Sequence, residues 1–208
     1  MNFPNIDPTA FEVFGWQVKW YGISYLAAIA MGYLLLRVRA RQPHYQDWDK
    51  DRIADLVFYC TLGIVLGGRI GYVFFYGLSD WGKDILYIFK IWQGGMSFHG
   101  ALIGVIVAMA LYARSMGKGF FEVADYVAPC VPLGLGAGRI ANFINSELWG
   151  KPPDLPWGIR LPIHNEQGQI TSYAAPVHPS QLYEFVLEGL VLFLILWLFT
   201  RKARPLMV

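Results

Sequence analysis

"WYGISYLAAIAMGYLLL", residues 20–36, holds no formal charge in seventeen positions. With its flanking residues it approaches the roughly 20 apolar residues that a helix needs to cross the hydrocarbon of a bilayer. The stretch 37–52, "RVRARQPHYQDWDKDR", ends it abruptly. Four more runs of the same kind follow. The second extends from about Ile53 to Tyr76, interrupted by Asp55 and Arg69, and the third from Ile91 to Ala113 with only His99 as a titratable group. A fourth covers about Phe121 to Gly138, with Glu122 and Asp125 near its start, and a fifth about Gln181 to Thr200. Between the second and third, "GLSDWGKDILYIFK" (77–90) mixes aromatics with charges, as an interfacial segment does. The expected architecture is all-α: one polytopic transmembrane domain over 1–208, with about five spanning helices and a long Pro- and Gly-containing loop at 139–180.

Composition agrees. Hydrophobic residues make up 55% and charged residues 15% of the 208, where soluble domains carry about 25% charged. Aromatics reach 16%, including 8 Trp and 12 Tyr, the residues that gather at membrane interfaces. A net charge of +2 without an arginine-rich, aromatic-laced patch excludes a nucleic-acid partner. Cys60 and Cys130 each lie in an apolar stretch and are expected to be structural thiols. The first 18 residues hold two acids, two prolines and no basic n-region, which predicts no cleavable signal peptide.

Basic residues set the orientation, because cytoplasmic helix ends collect Lys and Arg. Arg37, Arg39, Arg41, Lys50 and Arg52 follow the first span, Arg114 and Lys118 the third, and Arg201, Lys202 and Arg204 the fifth. The other ends carry fewer: Lys19, Lys83, Lys90, Lys151 and Arg160. The alternation places the N-terminus outside and the C-terminus of this chain inside.

Polar and ionisable groups at membrane depth are costly and mark functional candidates. "GRIANFINSELWG", 138–150, opens where the fourth span ends and carries Arg139, Asn142, Asn145 and Glu147. A guanidinium presents a planar fork of donors to phosphate oxygens, and amides bond ester or hydroxyl groups, so the set suits an anionic lipid. The alternative is a snorkelling arginine beside asparagines that join helices. "GGMSFHGALIG", 94–104, puts His99 at the same outer level, where a neutral imidazole could accept a proton; the alternative is a histidine that packs helices. In "LGGRIGYVFFYG", 66–77, Arg69 needs an anion or a cluster of carbonyls, and Glu147 is a candidate counter-charge. "WYG" (20–22) and "HPSQLYE" (178–184) place more polar groups at outer helix ends, with Ser180 suited to an N-cap. No GxSxG elbow, Walker loop, HExxH or Cys/His metal set is present, so neither a cofactor nor a metal is expected.

These blocks, "WYG", "LGGRIGYVFFY", "GGMSFHG", "GRIANFINSELWG" and "HPSQLYE", resemble those of the prolipoprotein diacylglyceryl transferases in their order. The resemblance covers about residues 16–205. It implies a multi-pass enzyme of the bacterial inner membrane, with 139–180 as a periplasmic loop. That enzyme moves diacylglyceryl from phosphatidylglycerol to the lipobox cysteine thiol of a prolipoprotein signal peptide, the first step of lipoprotein maturation. By matching position it implies Arg139 at the headgroup phosphate, His99 as candidate base, and roles for Tyr21, Asn142, Glu147 and Gly150. Arg69 would be a second arginine on the phosphate side or a structural one. Members of the family usually continue into two further spans with another functional arginine, which this chain, ending at Val208, is expected to lack. A membrane transporter or flippase that binds anionic lipid through the same groups is the competing reading. The inverted repeats common in transporters are not evident.

Overall fold

A computed structural model of the chain describes residues 1–202 except 5 and 153–155, so Arg204 lies outside the described residues. Among these, five helices are long and apolar enough to cross a membrane: α1 Trp20–Arg39, α2 Lys50–Tyr76, α3 Phe98–Ser115, α4 Phe120–Ile144 and α5 Ser180–Phe199. The protein is a multi-pass membrane protein of the all-α class. Many of their large apolar side chains, Leu26, Phe58, Leu111 and Ile195 among them, are exposed on the outer helix faces, while Ile53, Leu56, Val123 and Tyr126 are buried. The chain divides into two compact units, one of residues 1–32 and 129–200 and the other containing 33–128.

In the unit containing 33–128, α2 begins at Asp49, whose carboxylate accepts the N–H groups of Asp51 and Arg52 at 3.0 and 2.8 Å. It then packs along α3 through a seam of small residues. Gly63, Gly67 and Gly71 face Gly104 and Gly100, and a Cβ at any of them would collide with the opposite backbone or its side chains. Four-residue glycine spacing on both helices is what close helix packing in lipid requires. Arg39, fully buried, ties the end of α1 to α4: Nε donates to the Tyr126 carbonyl at 3.1 Å and Nη2 to Tyr45 Oη at 2.9 Å. Trp48 stacks on Tyr126 at 4.3 Å beside it. The charge counted as an inner-side marker is thus also a packing element.

Three boundaries differ from expectation. The third span starts at Phe98, not Ile91, because Gly94 and Gly95 take φ of 79° and 85°, which a right-handed helix cannot continue. Ser97 then caps α3 by accepting the Gly100 N–H at 3.2 Å. The fourth span runs on to Ile144, past Gly138, so the long loop starts at 145 rather than 139. Within that span a tight turn at Ala128–Cys130 precedes Pro132, whose missing N–H interrupts regular helix. Ser180 does not cap α5; Pro179 precedes the helix, and Ser180 Oγ donates to the Leu148 carbonyl at 2.9 Å.

Two antiparallel hairpins were not foreseen. β1 Thr9–Val13 pairs with β2 Trp16–Lys19 ahead of α1, and β3 Pro162–His164 pairs with β4 Ile170–Tyr173 inside the long loop. Phe3 secures the N-terminal strand of chain to that loop: its N–H donates to the Arg160 carbonyl at 2.9 Å. Its buried ring sits edge-on against Phe143 and Trp149, both at 5.4 Å. Neither Cys60 nor Cys130 is disulfide-bonded.

Candidate functional site

The polar stretch after Gly138 divides into a helical half and a looped half. Arg139 and Asn142 occupy the last turns of α4, and Asn145 is the residue that ends it. The three-residue spacing of 139, 142 and 145 puts these side chains on one side of the helix end, and Glu147 and Trp149 lie beyond it. Ser146 and Leu148 then adopt φ of 58° and 60°, a conformation that costs a non-glycine residue on the order of 1 kcal/mol. The surroundings that impose it are polar and specific.

Glu147 sits at the centre of that loop. Asn142 Nδ2 donates to its Oε2 at 3.2 Å and Asn145 Nδ2 to its Oε1 at a long 3.5 Å. Gln181, on the first turn of α5 and buried, donates through Nε2 to the Glu147 carbonyl. Trp149 Nε1 donates to Ser146 Oγ at 3.2 Å, and the Gly150 N–H to the His178 carbonyl at 2.9 Å. A Cβ on Gly150 would come within 2.8 Å of the His178 Cβ, so only glycine permits this approach. The loop of one block is in this way fastened to "HPSQLYE", which sequence reasoning had placed only at a matching helix end. Asn145 Oδ1 and Gln181 Oε1 are buried and accept no hydrogen bond from the described residues.

Arg139 has partners that were not foreseen. Its Nε lies 2.6 Å from Glu184 Oε2 and its Nη2 lies 3.9 Å from Glu188 Oε2, with each of the three side chains still partly accessible. The signal for finding them was the four-residue spacing of two acids in an otherwise apolar span, which puts both on one helix face. The pairing depends on a close crossing. Gly136 and Gly189 meet backbone to backbone, and a Cβ on either would stand 3.1 Å from the other's Cα. Glu184 immediately precedes, and Glu188 lies within, a wider, π-type helical stretch at Phe185–Val191, a local geometry frequent at functional sites. Tyr21, in the same unit, has its hydroxyl 3.3 Å from that of Tyr25 on the next turn of α1.

The other unit holds Arg69 and His99. Arg69 is 3% exposed, and carbonyls rather than a carboxylate satisfy it. Nε donates to Ile88 at 3.0 Å, Nη1 to Gly94 at 2.5 Å and Gly95 at 3.2 Å, and Nη2 to Tyr87 at 2.6 Å. The Tyr87 ring lies 4.7 Å from the guanidinium carbon. The arginine thus pins the 85–95 segment to α2. His99 is on the first turn of α3 with an exposed ring, and its ring contact is edge-on to Phe98 at 5.7 Å. It forms no side-chain hydrogen bond among the described residues. No group of three or more His, Cys, Asp or Glu among the described residues could hold a metal.

Comparison with known proteins gives these groups a context. The sequence profile of a family described as prolipoprotein diacylglyceryl transferase matches residues 8–208. A phosphatidylglycerol–prolipoprotein diacylglyceryl transferase of Pseudomonas fluorescens is 49% identical over 205 residues, covering 99% of this chain and 74% of its own length. Proteins of the same name from Pseudomonas aeruginosa and Pseudomonas putida are 49% and 48% identical, with the same coverage.

Proposed function

This chain belongs to the prolipoprotein diacylglyceryl transferase family, and from that premise we propose how its own residues carry out the transfer. The reaction moves diacylglyceryl from phosphatidylglycerol to the thiol of the lipobox cysteine in a prolipoprotein. A carbon–sulfur bond forms as the bond between the glyceryl carbon and the phosphate oxygen breaks. Glycerol phosphate leaves with the electron pair, and the thiol proton goes to a base. The observation that carries the reading is the 49% identity over 99% of the chain, within which the blocks around Arg139 and His99 lie.

Two demands follow from the chemistry. Negative charge grows on the departing phosphate, so a fixed cation there lowers the barrier. Arg139 meets this demand, at the end of an apolar span and with a planar fork matched to phosphate oxygens. The nucleophile is a thiol, mostly protonated at neutral pH and activated by proton removal. His99 is the base, its ring not engaged by another side chain and so open to a substrate. Asn142, Asn145 and Glu147 form a hydrogen-bonded rim at the headgroup, and Gly150 fixes the loop that carries them. Tyr21 contributes a hydroxyl on the outer half of α1. Arg69 holds the 85–95 segment that leads into the His99 turn. The protein works in the bacterial inner membrane with its N-terminus and the 139–180 loop on the periplasmic side, where secreted precursors present their cysteine.

Headgroup-labelled phosphatidylglycerol tests the proposal. Incubated with the full chain and a lipobox peptide, label should be released as glycerol phosphate. A peptide with serine in place of the cysteine should release none. Release independent of the thiol would refute transfer.

A further inference from the structure

Arg139 is held along one edge. Nε and Nη2 share a side of the guanidinium plane, and both face carboxylates: Glu184 at 2.6 Å and Glu188 at 3.9 Å. Nη1 has no partner among the described residues. The second fork, Nη1 with Nη2, therefore remains available for bidentate contact, the geometry by which arginine binds phosphate. The two glutamates are not equivalent. Glu184 is close and about a third exposed; Glu188 is far and half exposed, at 52%. Two ionised carboxylates on one guanidinium would also leave excess negative charge where an anionic phosphate must arrive, and like charges at such range repel.

Resting on the transferase reading, we propose that Glu184 is the positioning residue that orients Arg139, and that Glu188 is a placeholder counter-ion displaced by the lipid phosphate. Glu184 keeps its contact on Nε throughout, so the guanidinium cannot rotate away as the phosphate charge develops. Glu188 shares Nη2 until the headgroup takes that donor. The wide turn at 185–191 allows the two acids, four residues apart, to follow different courses.

The two roles predict opposite effects of the same chemical change. In the full chain in zwitterionic detergent, Glu188→Gln should tighten binding of short-chain phosphatidylglycerol by about fivefold, as expected from removing one partly exposed like charge. Phosphatidylcholine, which carries no net charge, should show no such gain. Glu184→Gln should lower kcat for transfer by roughly tenfold or more, because misdirected groups lose rate steeply. Glu184→Asp should recover part of it, with a smaller effect on KM than on kcat. Weaker or unchanged phosphatidylglycerol binding in Glu188→Gln, an equal gain with phosphatidylcholine, or normal kcat in Glu184→Gln would overturn the proposal. A Glu188→Gln variant that shows the predicted gain in phosphatidylglycerol binding, beside a wild-type chain that transfers nothing, would refute the transferase reading and leave the Glu188 role standing.

Discussion

At the scale of single residues, the stretch 138–150 works as a small hydrogen-bonded device rather than a set of independent polar groups. Glu147 receives both asparagines, so Glu147→Gln should loosen the whole rim. We expect phosphatidylglycerol KM to rise several-fold in that variant while the folded fraction stays near that of the parent, a split read by steady-state kinetics and size-exclusion profiles. His99→Gln should slow transfer by about a hundredfold or more, the scale of general base catalysis. Near-normal turnover would remove His99 as the base and leave activation of the thiol to the arginine's field. The chemistry-bearing residues were legible because charge in a lipid-crossing chain stands out. Their partners were less so. Glu184 and Glu188 lie 45 and 49 residues beyond Arg139 in sequence, and the close Gly136–Gly189 crossing brings the two helices together. Arg69 had two candidate forms of satisfaction, and four carbonyls from 87–95 proved to be the one used.

Elements show the same division between pattern and context. Existence of all five spans follows from hydrophobic length, but their ends follow from local stereochemistry. The "QGGMS" ahead of α3 carried a readable stop and start: two left-handed glycines and a capping serine. Gly138 is the opposite case, a glycine inside a helix that continues to Ile144. The β1–β2 hairpin turns at Phe14–Gly15 with φ of 49° and 81°, and phenylalanine there is not a turn signal that sequence rules would find. The second hairpin had one, since Asn165 accepts the N–H groups of Gln167 and Gln169 ahead of a left-handed Gly168. At the α2–α3 seam, Gly104→Leu should cost about 1–3 kcal/mol or more through overpacking, measured as a fall in unfolding midpoint in detergent; an unchanged midpoint would refute the seam's role. The interfacial segment gives a pH prediction. The Lys90 side chain, with help from the Leu86 N–H, holds the Asp84 carboxyl below the usual carboxylate range. The unfolded chain binds that proton more readily, so the turn's stabilisation is complete above about pH 4 and is lost as pH falls through the depressed value. Carboxyl titration by carbon-13 NMR should show Lys90→Ala moving Asp84 back up.

For the molecule as a whole, composition and the spacing of basic residues carried most of the argument. Five apolar helices with arginine and lysine gathered at alternate ends favour one orientation. In it a cysteine at Lys118 should be labelled only from the cytoplasmic side, and one at Gln167 only from the periplasmic side. The reverse pattern would contradict the proposed orientation. Function was legible to the extent that a polar rim at one end of apolar helices suits an anionic lipid, whereas the thiol acceptor could not be read from the rim and rests on family membership. The match to a relative named for this transfer covers 99% of this chain and 74% of the relative, which makes the reaction itself the claim to examine. The most direct measurement is mass spectrometry of a lipobox peptide after incubation with phosphatidylglycerol vesicles and either the parent chain or Arg139→Ala. The account predicts a thioether-linked diacylglyceryl on the cysteine with the parent and an unmodified peptide with the folded variant. Equal modification by both would contradict it.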